Sequence, residues 1–230
     1  RMEVVGLEHL ERAVEGAGGK GAVVIGPHMG NWELGAAKLA SLGLPVAAVY
    51  RELRQPALES ALVRLREARE GEGVEQDGGP ASEEGSRADG ERIQQIPMGP
   101  RAGVQFVRAL EAGRHVLVLL DQHAHRKDGV DALFFGRPAR TRVGPLKLAD
   151  RTGAPVLVTV ARRDEDRRRH VLTIRPALEL EPGAARDDEV LRRNVQRVTT
   201  AIEKEIRIAP GQWIWTHRRW RVPRAGSGSD

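Results

Sequence analysis

The sequence predicts a single α/β domain with a largely parallel central sheet flanked by helices. Strand and helix signals alternate along the chain, the pattern of an α/β layer architecture. Two strands, Ala22-Val23-Val24-Ile25 and His115 to Leu120, are short and mostly apolar, as strands covered on both faces are. The unusual polar residues His28, Arg51 and Asp121 each follow a predicted strand end. In open parallel sheets, ligands bind outside the carboxyl ends of the strands, so the three groups are expected to converge there.

The elements follow in order. A helix is predicted over 7–16, a strand over 22–26 and a helix over 31–42, with Asn31 as N-cap and Gly43 as its stop. Strand 46–50 ends at Tyr50-Arg51, and Pro56 opens a helix over 56–70. Residues 71–95 are rich in Gly, Glu, Asp and Ser and read as a mobile acidic loop. Helix 101–112 precedes strand 115–120, and 126–142 reads as a long connection holding Phe134-Phe135-Gly136. Helix 144–152 stops at Gly153. Strands 155–161 and 170–175 form an antiparallel hairpin around a charged tip, and a long amphipathic helix over 187–208 stops at Pro210. One domain over 1–222 is expected, with 223–230 as a disordered tail.

Composition narrows the chemistry. The 230 residues suffice for one domain with a sizeable core. The absence of cysteine excludes disulfides, thiolate metal sites and a thiol nucleophile. A net charge of +5, mostly carried by arginine, suits anionic partners such as phosphates, an acidic carrier protein or an anionic lipid surface. No apolar run reaches the roughly 18 to 20 residues of a membrane span, and no signal peptide is visible. The arginines around Arg162–Arg169 alternate with acids and lack an aromatic stacking platform, so a nucleic-acid partner is not expected.

The run Ile25-Gly26-Pro27-His28-Met29-Gly30-Asn31-Trp32-Glu33 carries the chemistry. A histidine at the strand-to-helix turn has a carboxylate five positions on, in the first helical turn. Glu33 there can fix the tautomer of His28 and make it a general base for a hydroxyl or a water. Arg51 reads as a phosphate or oxyanion contact. Phe134 and Phe135 read as one wall of an acyl groove, a membrane-dipping tip, or a plug over the sheet edge. Trp213, Trp215 and Trp220 read as packing. Asp121, His123 and His125 alternate and open a rival reading, a metal-dependent hydrolase that also uses His28. No spaced metal motif supports it, and no metal or cofactor is expected. A third reading is a non-catalytic binder of anionic lipid.

These residues, in this order, resemble the bacterial lipid A lauroyl/myristoyl acyltransferase family, within a superfamily of glycerol-3-phosphate, lysophospholipid and phosphatidylinositol mannoside acyltransferases. The matching pieces are His28 to Glu33, Val49-Tyr50-Arg51, Asp121-Gln122, Phe134-Phe135-Gly136 with Ala139 and Thr141, Leu148-Ala149 with Thr152 to Val156, and Gln212 to Trp220. The resemblance implies a glycerol-3-phosphate acyltransferase-like fold. It also implies an acyl-carrier-protein or coenzyme A thioester as donor, a lipid hydroxyl as acceptor (a lipid A precursor first), and work at the cytoplasmic face of the bacterial inner membrane. By carry-over, His28 is the base and Glu33 its orienting partner. Arg51, Asn31, Asp121, Phe134 and Phe135 would contact substrate or support the site. The family's N-terminal membrane-anchoring segment has no counterpart here, so the expected attachment is peripheral.

Overall fold

A computed structural model describes residues 2–50, 93–164 and 169–220. Among them, nine strands and five helices run in the order β1 (Met2–Val5), α1 (Leu7–Glu15), β2 (Val23–Gly26), α2 (Trp32–Ser41), β3 (Val46–Tyr50), β4 (Gln94–Pro97), α3 (Ala102–Glu111), β5 (His115–Leu119), β6 (Gly129–Phe134), β7 (Arg137–Arg142), α4 (Gly144–Thr152), β8 (Val156–Arg163), β9 (His170–Ile174) and α5 (Asp188–Ile208). Seven strands form one sheet in the order β1-β9-β8-β2-β5-β3-β4. All neighbours are parallel except β8 and β9, the hairpin that the sequence predicts.

The sheet is covered on both sides. Leu10 of α1 and Leu39 of α2 pack with Val24, Leu157 and Leu172 on one face. Phe106 of α3, Leu146 of α4 and Val195 and Ile202 of α5 pack with Val23, Ile25 and Val116 on the other. All four residues of β2 are buried, which accounts for its unbroken apolar sequence.

Register does the positioning. Val23 to Gly26 pair with Val116 to Leu119 at a constant offset. The same offset of 93 residues separates His28 from Asp121, so both emerge side by side beyond adjacent strand ends. The His28 turn is then pressed against the end of β8. Gly30 has φ +60, and a Cβ there would lie 1.9 Å from the Ala161 carbonyl oxygen. The Gly30 N–H donates to Gln212 O and the Asn31 N–H to Ala161 O. Only glycine fits that turn.

Four strands escape the sequence reading. β1 is a four-residue strand that, among the described residues, pairs with β9 alone. β4 includes Gln94 and Gln95, which the sequence reading assigns to the acidic loop; it is an edge strand held by β3. The connection 126–142 contains the hairpin β6–β7, a separate two-stranded sheet turned by Phe135 (φ 51) and Gly136 (φ 73). Its second strand, rich in arginine with one proline, has little of the usual strand composition. The predicted helix 56–70, the acidic stretch up to residue 92 and the tail 223–230 lie outside the described residues.

Candidate active site

His28 is held at three points. Its backbone N–H donates to Asp121 Oδ2 at 2.8 Å, and its Nδ1 lies 2.6 Å from Asp121 Oδ1. Its ring meets Trp32 edge to face at 5.2 Å. A carboxylate accepts, so Nδ1 carries the proton and Nε2 keeps its lone pair. That is the tautomer of a general base. Gln122 Nε2 lies 3.2 Å from this free nitrogen.

Asp121 is buried and its acceptor sites are well used. Beyond the two bonds to His28, its Oδ2 accepts from Trp213 Nε1 at 2.7 Å. Burial by itself raises the carboxyl pKa. The hydrogen bond and charge of His28, followed by the Trp213 hydrogen bond, outweigh it and hold the group below the ordinary aspartate value. Asp121 is therefore ionised at neutral pH and lies against the His28 imidazole.

This geometry revises the expected pairing. The orienting carboxylate on Nδ1 is Asp121, brought by strand register, and not Glu33, its neighbour in sequence. The one N–H at Nδ1 is taken up by Asp121 at 2.6 Å. Glu33 lines the same cavity as His28 and retains an interaction of its own. Asp121 sits behind the imidazole and does not line the cavity. Asn31 caps α2 by accepting from the Leu34 N–H at 3.1 Å, and it does not line the cavity. Arg51 lies outside the described residues.

Phe134 and Phe135 do not line the cavity either. Phe134 is buried against Trp213 at 5.7 Å and Trp220 at 5.8 Å. Phe135 packs on Trp213 and Trp215. The hairpin tip thus packs against the C-terminal tryptophans, as the plug reading of this run expects. His123 lines the cavity, and its backbone N–H donates to His217 Nε2. His125 caps a short 3₁₀ turn. Among the described residues, no three His, Asp or Glu side chains form a group that could hold a metal ion. The hydrolase reading thereby loses its ligand set.

Two residues that the sequence reading treats as packing or passes over have specific tasks. Trp213 bridges to Met29 and anchors Asp121 through its indole N–H. Arg219, 1% exposed, donates to Gln122 O, Arg140 O and Thr141 Oγ1 and lies over the Phe134 ring. It ties the loop after β5 to the β6–β7 hairpin. Burial pushes its pKa down to about 10, with Asp121 opposing, so it stays charged at neutral pH. A signal existed in the sequence: an arginine amid Trp213, Trp215 and Trp220 needs acceptors to be buried.

The dyad opens into a cavity of about 660 Å³. Its walls include Leu39, Leu117 and Leu172 from one face of the sheet and Phe106, Val118 and Leu148 from the other. His28, Trp32, Glu33, Gln122 and His123 supply polar groups at the strand ends. Such an apolar cavity with few convergent polar groups suits a small-molecule or lipid-chain ligand.

Comparison with known proteins places the chain in a family. A phosphatidylinositol mannoside acyltransferase of Mycobacterium tuberculosis is 31% identical over 154 residues, 67% of this chain and 42% of the relative. A lipid A biosynthesis palmitoleoyltransferase of Escherichia coli is 28% identical over 229 residues, 99% of this chain and 64% of the relative. A lipid A biosynthesis acyltransferase of Haemophilus influenzae is 24% identical over 228 residues. The chain therefore spans about two fifths to under two thirds of the length of these relatives. The family described as bacterial lipid A biosynthesis acyltransferase matches residues 1–222, and the chain belongs to that family.

Proposed function

We propose that the protein transfers a fatty acyl group from an acyl-carrier-protein or coenzyme A thioester to a hydroxyl of a glycolipid acceptor, a lipid A precursor being the first candidate. The observation that carries this reading is the His28–Asp121 pair, with Nε2 free to accept a proton at the mouth of an apolar cavity. His28 removes the acceptor proton as the hydroxyl oxygen attacks the thioester carbonyl. Asp121 stabilises the imidazolium that forms. On collapse the C–S bond breaks, and His28 returns the proton to the leaving thiolate. No covalent enzyme intermediate is required. The leucine-lined walls provide for the acyl chain.

The test is an acyl-transfer assay of the purified protein. Medium- and long-chain thioesters of acyl carrier protein and coenzyme A are offered with lipid A precursors, phosphatidylinositol mannosides and lysophospholipids. Transfer to at least one hydroxyl acceptor is expected. Thioester hydrolysis alone, with no acylated acceptor, overturns the reading.

The acceptor is a lipid, so the protein must meet a lipid surface. No helix among the described residues is long and apolar enough to cross a membrane. Peripheral contact has a candidate surface beside the aromatic plug. Leu133, Ile208 and Trp215 are 53%, 58% and 52% exposed. The Trp215 indole N–H is already satisfied by Pro210 O, so its exposed ring is wholly apolar. Arg137 lies over Trp220, adding a cation for anionic headgroups, and Arg207, paired with Glu203, lies over Phe135. Trp215 packs on Trp213, which bonds Asp121, so this surface adjoins the dyad. Cosedimentation with anionic phospholipid vesicles should weaken about tenfold or more in Leu133→Glu/Trp215→Glu, from the apolar burial lost. Binding unchanged by the double substitution would remove this surface from the account.

A further inference from the structure

The exposed side chain of Gln122 stands at the reactive nitrogen. With the Nδ1 proton committed to Asp121, the Nε2 lone pair needs a donor, so the Gln122 group 3.2 Å away is its NH₂. The backbone of Gln122 is pinned by Arg219 Nη1 on its carbonyl oxygen at 3.0 Å, whereas the side chain is exposed and lines the cavity. The amide can therefore swing without moving the loop.

One lone pair accepts one strong hydrogen bond. An acceptor hydroxyl that donates to Nε2 must displace the Gln122 amide, and the displaced NH₂ then lies beside the hydroxyl oxygen and the carbonyl it attacks. We infer that Gln122 is a further catalytic residue: its amide keeps the hydroxyl position at Nε2 and, once displaced, donates to the thioester carbonyl oxygen as that oxygen becomes an oxyanion. The assignment rests on the acyl-transfer reading and deepens it.

The electrons balance within the reaction already described. The acceptor O–H bond breaks and its proton goes to Nε2. The new O–C bond forms, and the carbonyl π pair moves onto oxygen, which then accepts a hydrogen bond from the Gln122 N–H. Collapse re-forms C=O, expels the thiolate and releases the hydrogen bond. A donor that binds the oxyanion more strongly than the neutral carbonyl acts on the transition state.

The experiment compares wild type, Gln122→Met and Gln122→Glu in steady-state acyl transfer, with thermal melts as the control for folding. Methionine keeps the length and lacks the donor. Gln122→Met should lower kcat about 10²- to 10³-fold, the loss typical of removing one oxyanion donor. The KM for donor and acceptor should change little. Gln122→Glu should be at least as slow, since a carboxylate repels the oxyanion. Wild-type kcat in Gln122→Met, a loss confined to acceptor KM, or full activity in Gln122→Glu would each overturn the assignment. An active wild type beside an equally active Gln122→Met sinks this inference alone. A wild type that acylates no acceptor sinks the acyl-transfer reading, and the Gln122 assignment with it.

Discussion

Asp121→Asn is expected to lower kcat about 10³- to 10⁴-fold, as the equivalent change does in a Ser-His-Asp triad. The reason is tautomeric. Oδ2 of Asp121 accepts from the His28 N–H and from Trp213 Nε1, and Oδ1 faces Nδ1. An asparagine keeps the shape, and its carbonyl oxygen takes over the two donors on the Oδ2 side. Its NH₂ is then directed at Nδ1, which must become the lone-pair nitrogen. The proton moves to Nε2, and the base is lost while the fold is kept. Circular dichroism and thermal melting should show a folded protein, and KM should change less than kcat. Glu33→Gln should cost about tenfold or less, because Glu33 is not the carboxylate that holds the Nδ1 proton. If Glu33→Gln is the more damaging of the two, the assignment of the orienting carboxylate is wrong.

His28→Ala is expected to lower kcat about 10²- to 10⁴-fold, the usual cost of losing a general base. The side chain is one-fifth exposed and most of its polar contact is with Asp121. Asp121 keeps the backbone N–H of residue 28 and the Trp213 N–H after the substitution, so the loop should stay in place. A His28→Ala protein with wild-type turnover would leave the cavity as a lipid-binding pocket without the proposed chemistry.

Much of the fold was legible because it is local. The apolar runs of β2 and β5, the Asn31 cap and the glycine stops act within a few residues, and the elements fall close to the predicted positions. What the sequence hid is non-local. Glu33 is near His28 along the chain, whereas Asp121 reaches it only through the parallel register of β2 on β5. Register cannot be read from one strand's composition. Trp213 and Arg219 depend on the chain returning from α5 to the back of the site, so their hydrogen bonds to Asp121 and to the β6–β7 hairpin had no local signature. The Phe134-Phe135-Gly136 run reads in sequence as an acyl-groove wall, a membrane-dipping tip or a plug. Its aromatic partners are those same C-terminal tryptophans, because a hairpin lies inside an apparently polar connection.

The central claim is that Asp121 acts through the His28 imidazole, and a double-mutant cycle on kcat tests it most directly. Wild type, His28→Ala, Asp121→Asn and the double substitution are compared at saturating donor and acceptor. The account predicts that the double mutant is little slower than His28→Ala, since the carboxylate has no imidazole left to orient or stabilise. Losses that multiply in full, with the double mutant slower by the product of the two single effects, would contradict it.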